Sequence, residues 1–133
     1  MAESTASLAG IGVAMGLILG AGLGTTAAVL LDVPTPTVTG FSAGGGLVVG
    51  AGAGRLAEAN LGRANLGVRI IGGSTVFGLV VGTGIGALTA WTADASLLRG
   101  GGIGTVVGVV NGLLLGWVLV RTIDRRTDGD VDG

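Results

Sequence analysis

The sequence predicts an all-α polytopic membrane protein: four transmembrane helices packed through glycine zippers and arranged as a tandem duplication of a two-helix hairpin. Three observations carry this prediction. Long uncharged stretches alternate with short polar links, glycines recur every fourth residue inside those stretches, and the second half of the chain repeats the first.

The 133 residues have room for one domain, and 49% of them are hydrophobic while 11% are charged. Soluble domains carry about 25% charge, and a mean hydropathy of +0.84 points away from them. The charges are also clustered. Between Glu3 and Arg55 only Asp32 is charged, between Arg69 and Arg99 only Asp94, and between Arg99 and Arg121 nothing is. Each interval exceeds the roughly 20 apolar residues that a bilayer crossing requires.

The first helix is expected at 7–31, and Asp32, Pro34 and Pro36 then stop it and favour an extended turn. The second, at 38–57, leads into a polar link from Arg55 to Arg69 with Asn60, Gly62 and Asn65. The third, at 69–91, ends before Asp94 and Ser96, and the fourth runs over 99–121. Residues 1–126 thus form one four-helix domain, and 127–133 read as a disordered acidic cytoplasmic tail. Arg55, Arg63, Arg69, Arg121, Arg125 and Arg126 fall on one side of the membrane and Arg99 on the other, which places both termini in the cytoplasm of a cell-membrane protein. With Glu3 and no basic run before it, helix one reads as a retained span and not a cleaved signal peptide.

Sliding residues 8–63 onto 70–125, an offset of 62 with no gap, superposes Gly16 on Gly78, Gly20 on Gly82, Gly24 on Gly86, Gly46 on Gly108, Gly50 on Gly112 and Gly54 on Gly116. Asp32 on Asp94 and Arg63 on Arg125 also match, outside the glycine rows, which favours duplication over a chance phasing of two glycine-rich hairpins. Each half makes two crossings. The copies therefore share one orientation and are related by a pseudo-two-fold axis along the membrane normal.

The rows themselves are Gly12, Gly16, Gly20, Gly24; Gly46, Gly50, Gly54; Gly78, Gly82, Gly86; and Gly100, Gly104, Gly108, Gly112, Gly116. Lipid supplies no hydrophobic drive between helices, so they associate through close van der Waals contact, which small residues four apart permit. A four-residue step advances 40° beyond a full turn, so a row winds around its helix and requires either a right-handed crossing or neighbours on several sides.

Among polar side chains, Asn111 lies near the middle of helix four, seven residues after Gly104, and its repeat counterpart is Val49. It is a candidate polar path or interhelical hydrogen bond. Arg55 and Glu58, three apart at the end of helix two, are a candidate cytoplasmic ion pair. Asp32 and Asp94 mark the external acidic ends, where they cap turns or attract cations. Trp91 and Trp117 are interfacial anchors. Thr25, Thr26, Thr83, Thr89 and Thr105 are expected to bond to their own helix backbone.

Duplicated glycine-rich helix pairs look superficially similar to the proteolipid rotor subunits of rotary ATPases. That family requires a carboxylate deep in the membrane, and the spans here contain none; Glu58 falls at the edge, past Gly54.

The absence of His, Cys, Lys and Tyr removes the usual nucleophiles, general bases and metal ligands, so no enzyme activity, metal or other cofactor is expected. A net charge of -1 excludes a nucleic-acid-binding surface. Glycine-rich strings such as Gly102 and Gly104 follow no predicted strand and precede no Lys, which excludes a phosphate loop. The expected partners are the lipid bilayer and either further copies or the helices of other membrane proteins. Two functions fit: a non-catalytic packing or assembly component that oligomerises through its zippers, or a small channel or transporter for an ion or neutral solute.

Overall fold

The computed structural model describes residues 7–32 and 34–129. They form four helices in chain order: α1 Leu8–Leu31, α2 Thr35–Ala59, α3 Leu66–Thr92 and α4 Leu97–Gly129. α1 starts where Ser7 Oγ accepts the Gly10 N–H at 3.0 Å and thereby satisfies one of the free donors of the first turn. It stops at Asp32, whose left-handed backbone (φ 53°) lets its N–H reach back to the Ala28 and Val29 carbonyls. Asp94 adopts the same conformation (φ 50°) after α3. Both acidic ends therefore sit at equivalent turns.

α2 begins earlier than expected. Pro36 falls in its first turn, where a missing N–H costs nothing and the fixed φ already suits a helix. α4 runs past the expected end at 121 and takes in the start of the segment read as tail, because Ile123 still packs against the core. Residues 130–133 lie outside the described residues.

Leu8–Val29, Leu66–Thr92 and Leu97–Arg125 are long and apolar enough to cross a membrane, which marks the chain as a membrane protein. α2 is not among these three. Its composition explains why: Gly40, Gly44, Gly45, Gly46, Gly50, Gly52 and Gly54, together with Thr35, Pro36, Thr37, Thr39 and Ser42, displace the large aliphatic residues that raise hydropathy.

The helices pack as two antiparallel pairs, α1 with α2 and α3 with α4, and the pairs meet mainly through α2 and α3, while among the described residues no Cα of α1 comes within 8 Å of one in α3. Inside each pair the backbones approach until no side chain fits between them. A Cβ added to Gly16 would strike the Gly46 carbonyl oxygen, one on Gly12 the Gly50 oxygen, and one on Gly54 the backbone of Leu8 and Ala9. In the second pair, Gly78 meets the Gly108 oxygen, Gly112 the Ser74 oxygen, and Gly116 the backbone of Ile71. Each glycine row thus follows one partner along its length, in place of one neighbour low and another high. Between the pairs, side chains intervene instead: Ile85 lies over Gly45, Phe77 over Gly52 and Leu56 over Gly73.

One end of the bundle, where α1 begins and α4 ends, will be called the base, and the opposite end the mouth. The base is filled by a core of Leu8, Ala53, Ala57, Ile70 and Leu119, all buried, with Ile11, Leu66, Val120 and Ile123 around them.

Candidate functional site

Side chains separate the two pairs while bare backbone joins the helices within each, and this leaves a gap between the pairs. A cavity of about 290 Å3 occupies it, with walls from all four helices. α2 contributes Val38 and Val49, α3 contributes Val81 and Ile85, and α4 contributes Ile103 and Val107. At the mouth it reaches Ala95, Ser96 and Arg99, all exposed. At depth it reaches Asn111. Twelve residues of helix separate Arg99 from Asn111, about 18 Å at 1.5 Å per residue.

Asn111 is 4% exposed, and its Oδ1 has no hydrogen-bond partner. Ser74 Oγ is likewise buried without a partner. The two stand at one level of α3 and α4, since the Ser74 carbonyl abuts Gly112, the residue after Asn111. A buried polar group left unpaired costs about 1–3 kcal/mol. Buried Leu115 and Leu119 and the base core lie beyond this level, so the cavity opens toward the mouth and ends at a polar floor halfway through the bundle.

Comparison with protein-family models, curated proteins and solved structures finds no match. The site is therefore read from its own chemistry.

Of the residues singled out in the sequence, the glycines line the seams within each pair, and Asn111 lies at the cavity floor. Glu58 makes a contact across the hairpin: its Oε1 accepts the Ala9 N–H at 3.0 Å, placing a carboxylate at the N-terminus of α1, where the helix dipole favours negative charge. Arg55 is exposed. Asp32 and Asp94 are exposed at the mouth end. Trp91 and Trp117 are exposed too, and Arg121 stacks 4.6 Å from the Trp117 ring centroid.

The five threonine hydroxyls bond to their own helices as expected, Thr25 to Ala21 O, Thr26 to Gly22 O, Thr83 to Leu79 O, Thr89 to Ile85 O and Thr105 to Gly101 O. Three of them, Thr25, Thr83 and Thr105, also take part in bridges between helices, which the sequence reading missed. Thr25 Oγ1 lies 3.1 Å from Thr39 Oγ1, and Thr83 Oγ1 lies 2.6 Å from Thr105 Oγ1. Thr25 has already given its proton to Ala21 O, so Thr39 donates in the first bridge. In the second, two protons face three contacts, and one hydroxyl must release its backbone bond to donate to the other.

Proposed function

We propose that this chain is a four-crossing, non-catalytic protein of the cell membrane that carries a small solute through the cavity between its two hairpins. The observation that supports it is the one-sided cavity ending at a buried, unpartnered Asn111 at mid-depth. Transporters built from repeated halves hold their substrate near the membrane midplane at the repeat interface, open to one side at a time.

The fourth crossing is inferred from geometry. α2 lies against α1 from Gly54 beside Leu8 to Val38 and Ser42 beside Gly24, so if α1 crosses, α2 occupies the same depth. Its glycines face neighbours and spare it the lipid, while Phe41, Leu47 and Val48 present apolar surface. In this reading the close-packed glycine rows are zippers that make each hairpin a rigid unit. Duplication is supported by contacts that recur at an offset of 62: Gly16 with Gly46 and Gly78 with Gly108, Gly12 with Gly50 and Ser74 with Gly112, Gly54 with Ala9 and Gly116 with Ile71. The arginine distribution puts the base, with both termini, in the cytoplasm and the mouth outside.

The assembly role favoured by the sequence drew on glycine rows in need of neighbours. Those rows meet partners within the chain, which leaves the secondary glycines Gly22, Gly40, Gly44, Gly84 and Gly102, with nothing within 4 Å, as the surface a second copy or a partner helix would use.

The test is solute uptake by proteoliposomes followed by light scattering, with urea, glycerol, K+ and Cl- as probes. Uptake of a neutral solute above that of empty liposomes, slowed in Asn111→Val, is the expected result. Uptake equal to empty liposomes for every probe would sink the transport reading. If size in solution falls to a monomer when Gly44→Leu is introduced, the assembly reading gains instead.

A further inference from the structure

The contact between the hairpins has an outer side as well as the inner side that faces the cavity. Gly52 and Leu56 of α2 meet Phe77 and Gly73 of α3, and Gly45 meets Ile85. Val49, Val81 and Ile85 turn inward from this line to the cavity wall. Across the line from them stand Gly44 and Val48, two turns and one turn before Gly52, and Val80 and Gly84, one turn and two turns after Phe77; all four are exposed. The Gly45–Ile85 contact puts Gly44 and Gly84 at one level, and a Cβ added to either would meet nothing within 4 Å. The outer side is therefore a trough of glycine and valine that faces lipid.

At the base this trough ends between two arginines. Arg55 precedes Leu56, and Arg69 stands one turn before Gly73, so they flank the Leu56–Gly73 contact from two different hairpins. Both are exposed, and among the described residues neither guanidinium has a hydrogen-bond or ion-pair partner. Glu58, three residues from Arg55, is engaged instead on the α1 side of α2, where it accepts the Ala9 N–H. From Arg69 to Gly84 the trough follows fifteen residues of α3, about 22 Å at 1.5 Å per residue. One leaflet is about 15 Å of hydrocarbon, half of a core of roughly 30 Å, so an acyl chain with its head at the base lies within the trough along its whole length.

We infer that the outer trough binds one anionic phospholipid of the base leaflet, its phosphate between Arg55 and Arg69 and one acyl chain along Val48 and Val80. This rests on the four-crossing reading of the chain and not on transport. A guanidinium presents a planar fork of N–H donors that matches phosphate oxygens, and two of them without a carboxylate favour a head of net negative charge over a zwitterion. The lipid touches both hairpins, and it does so where they meet through side chains and not through backbone.

Native mass spectrometry of the full chain released from detergent micelles tests this. The probes, added in turn, are dioleoylphosphatidylglycerol, dioleoylphosphatidylcholine, glycerol 3-phosphate and inorganic phosphate. Phosphatidylglycerol is expected to stay on the chain as a single copy, about tenfold more than phosphatidylcholine, and the two water-soluble phosphates are expected not to stay at all. Arg55→Gln combined with Arg69→Gln is expected to lower retention about tenfold, while Arg125→Gln, at the base but outside the trough, leaves it nearly unchanged. Val48→Trp combined with Val80→Trp, which fills the trough and keeps both arginines, is expected to lower it as far. Equal retention of the two lipids, retention of either water-soluble phosphate, undiminished binding in either double variant, an equal loss in Arg125→Gln, or a dimer mass in place of a lipid adduct would overturn the inference. Lipid retention without solute uptake leaves this inference standing and removes transport. Solute uptake without lipid selectivity does the reverse.

Discussion

At the residue scale, the glycines divide into two physical classes that look alike in the sequence. Gly46 lies against the Gly16 carbonyl and the Gly20 Cα, so Gly46→Ala must push two backbones apart, and overpacking of that kind costs about 1–3 kcal/mol. Gly44 has nothing within 4 Å, and Gly44→Ala is expected to stabilise by up to about 1 kcal/mol through helix propensity alone. Thermal unfolding in detergent micelles should give opposite signs for the two. The row glycines were legible because four-residue spacing is a direct signature of close helix contact. The threonine bridge from Thr83 to Thr105 was not, since it depends on which faces two helices turn to each other. A Val substitution cycle on that pair is expected to return a coupling of about 0.6 kcal/mol, and at most about 1.7, the range for interhelical hydrogen bonds in a bilayer. A coupling of zero would mean that both protons stay with their backbone carbonyls.

The helices and their ends form the next scale. Uncharged stretches and glycine spacing identified all four helices, and the left-handed turns at Asp32 and Asp94 fit residues whose short side chains tolerate positive φ. α2 shows the limit of hydropathy taken alone. Its apolar density is low because its glycines serve a neighbour, and hydropathy measures suitability for lipid, not for burial against another helix. Glu58 was equally obscure: three residues from Arg55 along the helix, it reaches a residue 49 positions away through the hairpin. Glu58→Gln keeps the shape and removes the charge at the α1 N-terminus. Amide hydrogen exchange at Ala9 should speed up several-fold, in line with about 0.3–1 kcal/mol for a charge at a helix end. Unchanged exchange would show that the carboxylate gives α1 nothing.

For the whole molecule, the offset of 62 in the sequence pointed to two similar halves but not to the space between the hairpins. A cavity is a difference between the shapes of two assembled surfaces, and no local pattern encodes it; Asn111 stood out only as a polar residue in an apolar helix. The absence of native cysteine makes the topology directly testable. Single substitutions Gly62→Cys in the α2–α3 link and Thr92→Cys at the end of α3 should react with a membrane-impermeant maleimide from opposite faces of intact cells, with Thr92→Cys labelled from outside. Labelling of both from one face would remove the four-crossing arrangement.

The closeness of the backbones within each pair also bears on how the protein is made. The backbone contacts of the first seam join α1 and α2 alone, so they can form before α3 is made, while Leu8, Ala53 and Ala57 complete their core only when Ile70 and Leu119 arrive. The second docks later, against side chains and not backbone. Synthesised as two separate pieces divided at Gly62, the halves should each insert and then find one another, co-purifying from detergent extracts. The cavity would then be the last part of the molecule to form, and the place where the two finished pieces remain free to shift.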